Sequence, residues 1–157
     1  MEKISFRKAT ISDLPDVISL IADDQLGSTR EDTKHQFPLV YRQAFERMTK
    51  QEGNDIYVAI LGESQIVGCM QLTFIAGLSR KGMTRLQIEA VRVAKELRSK
   101  GIGRKMMKYA ISLAKSSGCG LVQLTTDKSR EDAHRFYERL GFEDSHIGMK
   151  LSLIRKS

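Results

Sequence analysis

Arg98-Ser99-Lys100-Gly101-Ile102-Gly103 sets two cations and two glycines in six consecutive positions. An apolar run, Leu86 to Val93, precedes it, and a helix-periodic run follows. A strand-to-helix junction of this kind turns free backbone N–H groups outward at the positive end of a helix dipole. Phosphates bind at such ends. Gly101 and Gly103 lack Cβ atoms, so a pyrophosphate can come close to the main chain. Arg98 and Lys100 can add charge-assisted hydrogen bonds. The plain alternative is a helix cap whose glycines serve tight packing, and glycine spacing alone does not separate the two. A three-glycine dinucleotide fingerprint and a P-loop ending in Gly-Lys-Ser/Thr are both absent.

Acid–base chemistry has fewer candidates. Glu89 lies within Leu86-Gln87-Ile88-Glu89-Ala90-Val91. A carboxylate inside an apolar strand is costly to bury, and a buried one is a stronger base than a solvated one. The alternative is a partly exposed Glu89 paired with Arg85 or Arg92. His134 is a further candidate, though a surface histidine is the simpler reading. His35 and His146 belong to no motif. Cys69 and Cys119 sit in apolar runs without ligand spacing or a neighbouring His or Asp. They read as buried, reduced thiols, and no metal site is expected.

These residues need elements to hold them. Ile4 to Lys8 reads as a first strand. Thr10 with Asp13 fits a capping box, Pro15 a first helical turn, and Leu14, Val17, Ile18 and Ile21 a helix to about Asp24. Leu26 to Arg30 breaks it. A second helix is expected from near Phe37 to Glu52, ended by Gly53-Asn54. Ile56–Leu61 and Ile66–Phe74 form a hairpin about Gly62-Glu63-Ser64. Leu86–Val93 is a further strand, and Gly101–Ser117 a third helix with Ile102, Met106, Ala110, Leu113 and Ala114 inward. Leu121–Thr126 is a strand and Arg130–Leu140 a helix closed by Gly141. Ile147–Ile154 is a last strand. The order β-α-α-β-β-β-α-β-α-β gives an α/β (α+β) fold with one central mixed sheet flanked by helices.

The chain has 157 residues, of which 41% are hydrophobic and 29% charged, which fits a single domain, 1–157, with a core of its own. No signal-peptide h-region follows Met1, and no apolar run approaches a bilayer span, so a cytoplasmic protein without membrane contact is expected. The net charge of +7 is spread from Arg42 to Lys156 with no basic tail. That favours an anionic ligand and argues against nucleic acid.

Val93…Arg98-x-x-Gly101-x-Gly103 resembles the acetyl-CoA signature of the GCN5-related N-acetyltransferases (GNAT). Further on, Arg130-Glu131-Asp132-Ala133-His134-Arg135-Phe136-Tyr137-Glu138-Arg139-Leu140-Gly141-Phe142 resembles that family's second motif, in the family's order and on the expected element. The resemblance implies a GNAT-like acyl-CoA N-acyltransferase fold and direct acetyl transfer from acetyl-CoA, as cosubstrate, to an amine. A non-catalytic acyl-CoA sensor on the same fold is the alternative. It implies that the Leu86–Val93 and Leu121–Thr126 strands splay. The pantetheine arm would then lie against the backbone of Val91 and Val93, with the pyrophosphate on the amides from Arg98 through Ser99, Lys100, Gly101 and Ile102 to Gly103. Arg130 stands where many members carry a cofactor-contacting Asn, and it can reach a phosphate instead. Tyr137 is implied as the acid toward the leaving thiolate, being protonated at neutral pH as an unperturbed tyrosine is. Glu89 occupies a position where some relatives carry a base or a water-holding carboxylate. The acceptor is expected to be an amine-bearing small molecule. Asp23, Asp24, Glu31 and Asp32, with Arg30 among them, suggest a cationic one; Arg80, Lys81 and Arg85 suggest an acidic one. Dimers are common in the family, so a homodimer is a further expectation.

Overall fold

The computed structural model describes residues 3–23 and 39–155. They fall into two compact units, Met1–Leu124 and Thr125–Ser157.

The first unit is built on one five-stranded sheet: β1 (Ile4–Lys8), β2 (Asn54–Leu61), β3 (Gln65–Ile75), β4 (Arg85–Val93) and β5 (Leu121–Leu124), adjacent in that order. The first three pairings are antiparallel and β4–β5 is parallel, so the sheet is mixed as expected. The longer helices of this unit among the described residues are α1 (Leu14–Ala22), α2 (Leu39–Lys50) and α3 (Ile102–Ser116). Phe37 and Pro38, at the expected start of the second helix, lie outside the described residues.

Sequence periodicity decides which face each element buries. Leu14, Val17, Ile18 and Leu20 of α1 and Phe45 of α2 pack with Ile56, Val58, Ile60 and Cys69 of the sheet. Consecutive strand residues point to opposite faces. Gly68, next to Cys69, therefore faces the other way, where a Cβ would meet Met106 of α3 at 2.8 Å. Met106, Met107 and Ala110 of α3 are fully buried. The start of α1 is fixed by Asp13, a buried carboxylate that accepts hydrogen bonds from Arg7 (2.6 Å) and from the Thr10 N–H (2.7 Å). The second of these is the Asp half of the expected capping box.

β4 departs from a regular strand midway. Cys69 pairs with Arg92 and Gln71 with Glu89, so Ala90 and Val91 together face Met70 of β3. The extra residue is a β-bulge, and Ala90 takes a φ of 51° to form it. On its other side, β4 pairs with β5 only from Arg85 to Ile88. β5 ends at Leu124, and among the described residues no strand pairs with Glu89–Val93 on that edge.

The second unit contains α4 (Glu131–Glu138). Phe142 N–H donates to the Tyr137 carbonyl (3.1 Å) and Gly141 N–H to that of Glu138 (2.9 Å), with Gly141 at φ 92°. This is a Schellman ending, as the glycine's place after the helix implies. The expected strand over Ile147–Ile154 does not form. Ile147, Met149, Leu151, Leu153 and Ile154 are 84–93% exposed, and no ladder partner joins them among the described residues. Alternation tells which side chains would share a face; it supplies no backbone partner.

Candidate functional site

The junction between β4 and α3 is set by three positions. Ser99 and Gly101 take φ values of 63° and 82°, both in the left-handed region. Gly101 is the N-cap of α3, its carbonyl accepting the Lys105 N–H at 3.1 Å. Ile102 follows, buried at 6% exposure, and anchors the first turn. A left-handed residue followed by helical ones aims successive N–H groups into one concavity, which suits an anion. The first N–H groups of a helix have no partner within it. A Cβ at Gly101 would touch nothing within 4 Å. Its φ, and not crowding, favours the glycine, and the space beside it is open. Ser99, Lys100 and Gly101 are exposed and Gly103 is half-buried.

Arg98 is held by contacts at both ends of its guanidinium. Its Nη2 donates to the Asp23 carbonyl at 2.7 Å, with the Asp23 carboxylate at 3.6 Å, and its Nε donates to the Val93 carbonyl at 3.1 Å. The guanidinium thus bridges the end of α1 and the end of β4.

Val91 and Val93 stand half-buried on the stretch of β4 beyond the β5 pairing. The Val91 carbonyl also accepts from its neighbour, Arg92 Nη1, at 2.9 Å. Glu89 is exposed, so the argument from burial does not hold. Glu89 forms the last regular pair of β4 before the bulge, in register with Gln71. Around Glu89 the sheet face is polar. Asn54, Thr73, Gln87 and Gln123 are register partners on four adjacent strands, and Gln71 pairs with Glu89 itself. Asn54 Oδ1 accepts from Gln71 (2.9 Å) and Thr73 (3.0 Å), and Gln123 Nε2 donates to Gln87 Oε1 at 2.7 Å. Sequence reading missed these glutamines. Their signal was every-second-residue polarity at Gln71 and Thr73, and at Gln87 and Glu89.

Cys69 is buried, and burial pushes its thiol up to about 12. Cys119 is half-buried and its thiol is also raised by burial. Neither forms a disulfide. The described residues contain no group of His, Cys, Asp or Glu suited to a metal.

In the second unit, Arg130 is the N-cap of α4, its N–H donating to the Asp127 carbonyl at 2.9 Å. Tyr137, half-buried, stacks edge-on with Phe136 (5.2 Å) and Phe142 (6.0 Å). His134 is half-buried and lies 3.8 Å from Glu138 and 3.7 Å from Asp144. The geometry thus joins Glu89, Val91, Val93 and Arg98–Gly103 along one strand and its continuation, and Arg130 with Tyr137 on one helix. Of the acidic connector, Asp23 is held by Arg98; Asp24, Arg30, Glu31 and Asp32 lie outside the described residues, as does His35.

Residues 20–142 match the family model described as the acetyltransferase (GNAT) family. The chain belongs to that family. The match spans both the β4–α3 junction and the Tyr137 helix. Among solved structures, a transcriptional regulator from Bacillus halodurans C-125 is similar at 44% identity and a TM-score of 0.91, over 96% of this chain and 100% of that one. Glucosamine-6-phosphate N-acetyltransferase from Arabidopsis thaliana has a TM-score of 0.76 over 98% of this chain and 100% of that one, at 23% identity, a likeness of fold. Among curated proteins, the aminoalkylphosphonate N-acetyltransferase of Salmonella typhimurium is 36% identical over 61 residues, 39% of this chain and 40% of that protein. The streptothricin acetyltransferase of Streptomyces lavendulae is 32% identical over 95 residues, 58% of this chain and 48% of that protein. The GNAT chain thus aligns with less than half the length of these curated relatives. No described helix is long and apolar enough to cross a membrane.

Proposed function

We propose that the chain is an N-acetyltransferase that takes its acetyl group from acetyl-CoA and passes it directly to an amine of a small molecule. The observation that carries this reading is the β4–α3 junction, where left-handed Ser99 and Gly101 present the free amides of a fifteen-residue helix beside open space. Amides and dipole suit the diphosphate of the nucleotide end. The edge of β4 beyond Ile88 suits an extended, amide-bearing arm laid beside Val91 and Val93 as an added strand would be. Acetyl-CoA supplies an activated acetyl thioester. Arg130 is retained as a phosphate contact on its motif position alone.

An amine acceptor must shed a proton, because an ammonium has no lone pair. Glu89, exposed beside the unpaired edge, is assigned that proton, taken directly or through one water. Tyr137 is assigned the thiolate's proton on its motif position. An amine is also what the names of the relatives call for, since aminoalkylphosphonate and streptothricin are the acceptors those enzymes are named for. The polar face of Asn54, Gln71, Thr73, Gln87 and Gln123 suits an acceptor with hydroxyl or amide groups. A cytoplasmic location and a homodimer remain part of the proposal.

Acetyl-CoA at about a hundred times its dissociation constant stabilises the native state by about 2.7 kcal/mol, a rise in Tm of several degrees. No rise sinks the cofactor assignment. A screen of amines for thiol release then tests catalysis. A second reading, an acyl-CoA sensor without catalysis, draws on the name of the Bacillus halodurans relative, a transcriptional regulator. Binding of acetyl-CoA with no thiol release from any amine selects it.

A further inference from the structure

We propose that Arg98 is a positioning residue, a two-armed strut that fixes the cofactor loop to the end of α1, and that it contacts no phosphate. The inference rests on the acetyl-CoA reading of the junction and deepens it.

Arg98 lies three residues before Gly101, at the base of the loop. One arm, Nε, holds the Val93 carbonyl at 3.1 Å; the other, Nη2, holds the Asp23 carbonyl at 2.7 Å. Asp23 is the C-cap of α1, and its own N–H is already spent on the Ser19 and Leu20 carbonyls. The last carbonyls of a helix have no acceptor role within it, and a cation there also meets the negative end of the dipole. Arg98 therefore completes α1 from a distant part of the sequence. Its planar guanidinium reaches two carbonyls at fixed spacing, which a lysine ammonium on a flexible stem does not reproduce. The surface pairing with the Asp23 carboxylate, at 3.6 Å and half exposed on both sides, adds little.

The consequence is a division of labour within the motif. The loop leaves β4 at Val93, turns through Lys95–Leu97, and reaches the left-handed Ser99 and Gly101. Arg98 pins the strand end and α1 to the end of that turn, so it sets where the amides of Ser99 to Gly103 point. Anion binding falls to those amides and to Lys100. The positive charge of Arg98 is used on the protein.

The test compares wild type with Arg98→Gln, Arg98→Lys and Lys100→Gln. Acetyl-CoA affinity is measured at low and high salt, and amide hydrogen exchange in the turn Leu20–Asp23 without ligand. Wild-type binding of acetyl-CoA is the separate control for the junction itself; without it the cofactor reading fails and the exchange experiment still reports on the strut. For a strut, Arg98→Gln weakens acetyl-CoA on the order of tenfold, the scale of one lost charge-assisted hydrogen bond. Arg98→Lys does not restore the affinity, the salt dependence stays that of wild type, and exchange at the α1 end quickens in the free protein. Lys100→Gln, by contrast, flattens the salt dependence, because an exposed charge contact is screened. Rescue by Arg98→Lys, a flattened salt dependence in Arg98→Gln, or unchanged exchange at the α1 end would each overturn the proposal.

Discussion

Two stretches of this chain carry equally clear sequence patterns and meet different fates. Arg85–Gly103 alternates as a strand and then places glycines at a helix start; the structure pairs it, bulges it and caps the helix. Ile147–Ile154 alternates just as cleanly, yet its apolar side chains are exposed and unpaired among the described residues. The difference lies in the neighbours. β4 has β3 along its whole length and β5 along its first half, and α3 packs on both β4 and β3. A pattern becomes structure where a partner supplies the missing hydrogen bonds and covers the apolar face.

The largest effect expected within the first stretch is chemical. Glu89→Gln keeps the size of the side chain and removes its basicity. Turnover should fall roughly a hundredfold or more, the usual worth of a positioned base, with acetyl-CoA affinity unchanged. Steady-state kinetics over a range of amines would check this. An unchanged kcat removes Glu89 from the chemistry and leaves it as one polar group among the neighbouring glutamines.

Gly101→Val comes next. A β-branched residue at φ 82° is strained, at a cost of about 1–3 kcal/mol, and the loop will shift to escape it. Acetyl-CoA binding should drop by about ten- to a hundredfold and the thermal shift should shrink with it. Because a Cβ there meets no atom within 4 Å, crowding is not the cause. Gly101→Asn, which tolerates the left-handed region better, should recover part of the loss. If Val and Asn behave alike, the conformational account of the junction is broken.

Legibility followed the same line. Strands and helices of the first unit were readable from period and caps because each apolar stripe has a surface to bury: α1 and α2 on one face of the sheet, α3 on the other. The glycine at 101 was readable because its φ leaves few alternatives. The bulge at Ala90 was not, since alanine carries no mark of positive φ. An apolar neighbourhood in sequence suggested a buried carboxylate; Glu89 instead lies exposed in register with Gln71. Arg98 was legible as a cation near the loop, but its partners, Asp23 and Val93, are fixed by tertiary approach and leave no local trace.

Asp13 is the carboxylate that burial did take, and it yields a smaller, pH-linked effect. The Arg7 guanidinium bonded to it, helped by the Thr10 N–H, holds its carboxyl below the usual carboxylate range, against the opposing pull of burial. A depressed folded value means stabilisation that is complete above the unfolded value of about 3.9 and is lost as pH falls through the folded one. Asp13→Asn should cost about 1–2 kcal/mol at neutral pH, allowing for an Arg7 that is nearly half exposed. Urea denaturation of both proteins from neutral pH down into acid should show the gap closing. A gap that persists at the acid end would mean that packing, and not the charge, makes the difference.

The smallest effect expected is at the other pole of the comparison. Leu151 is 87% exposed, so Leu151→Lys should change stability by no more than about 0.5 kcal/mol. Ser152→Lys, one residue on, should do the same. The pair is informative because adjacent residues of a strand face opposite ways. Equal, negligible shifts in the urea midpoint support the structure's exposed segment. A loss of about 2 kcal/mol or more confined to Leu151→Lys would be the signature of one buried face, since a lysine head has no partner there. The alternation over Ile147–Ile154 would then be a strand's after all, formed against a surface that the exposed arrangement does not provide.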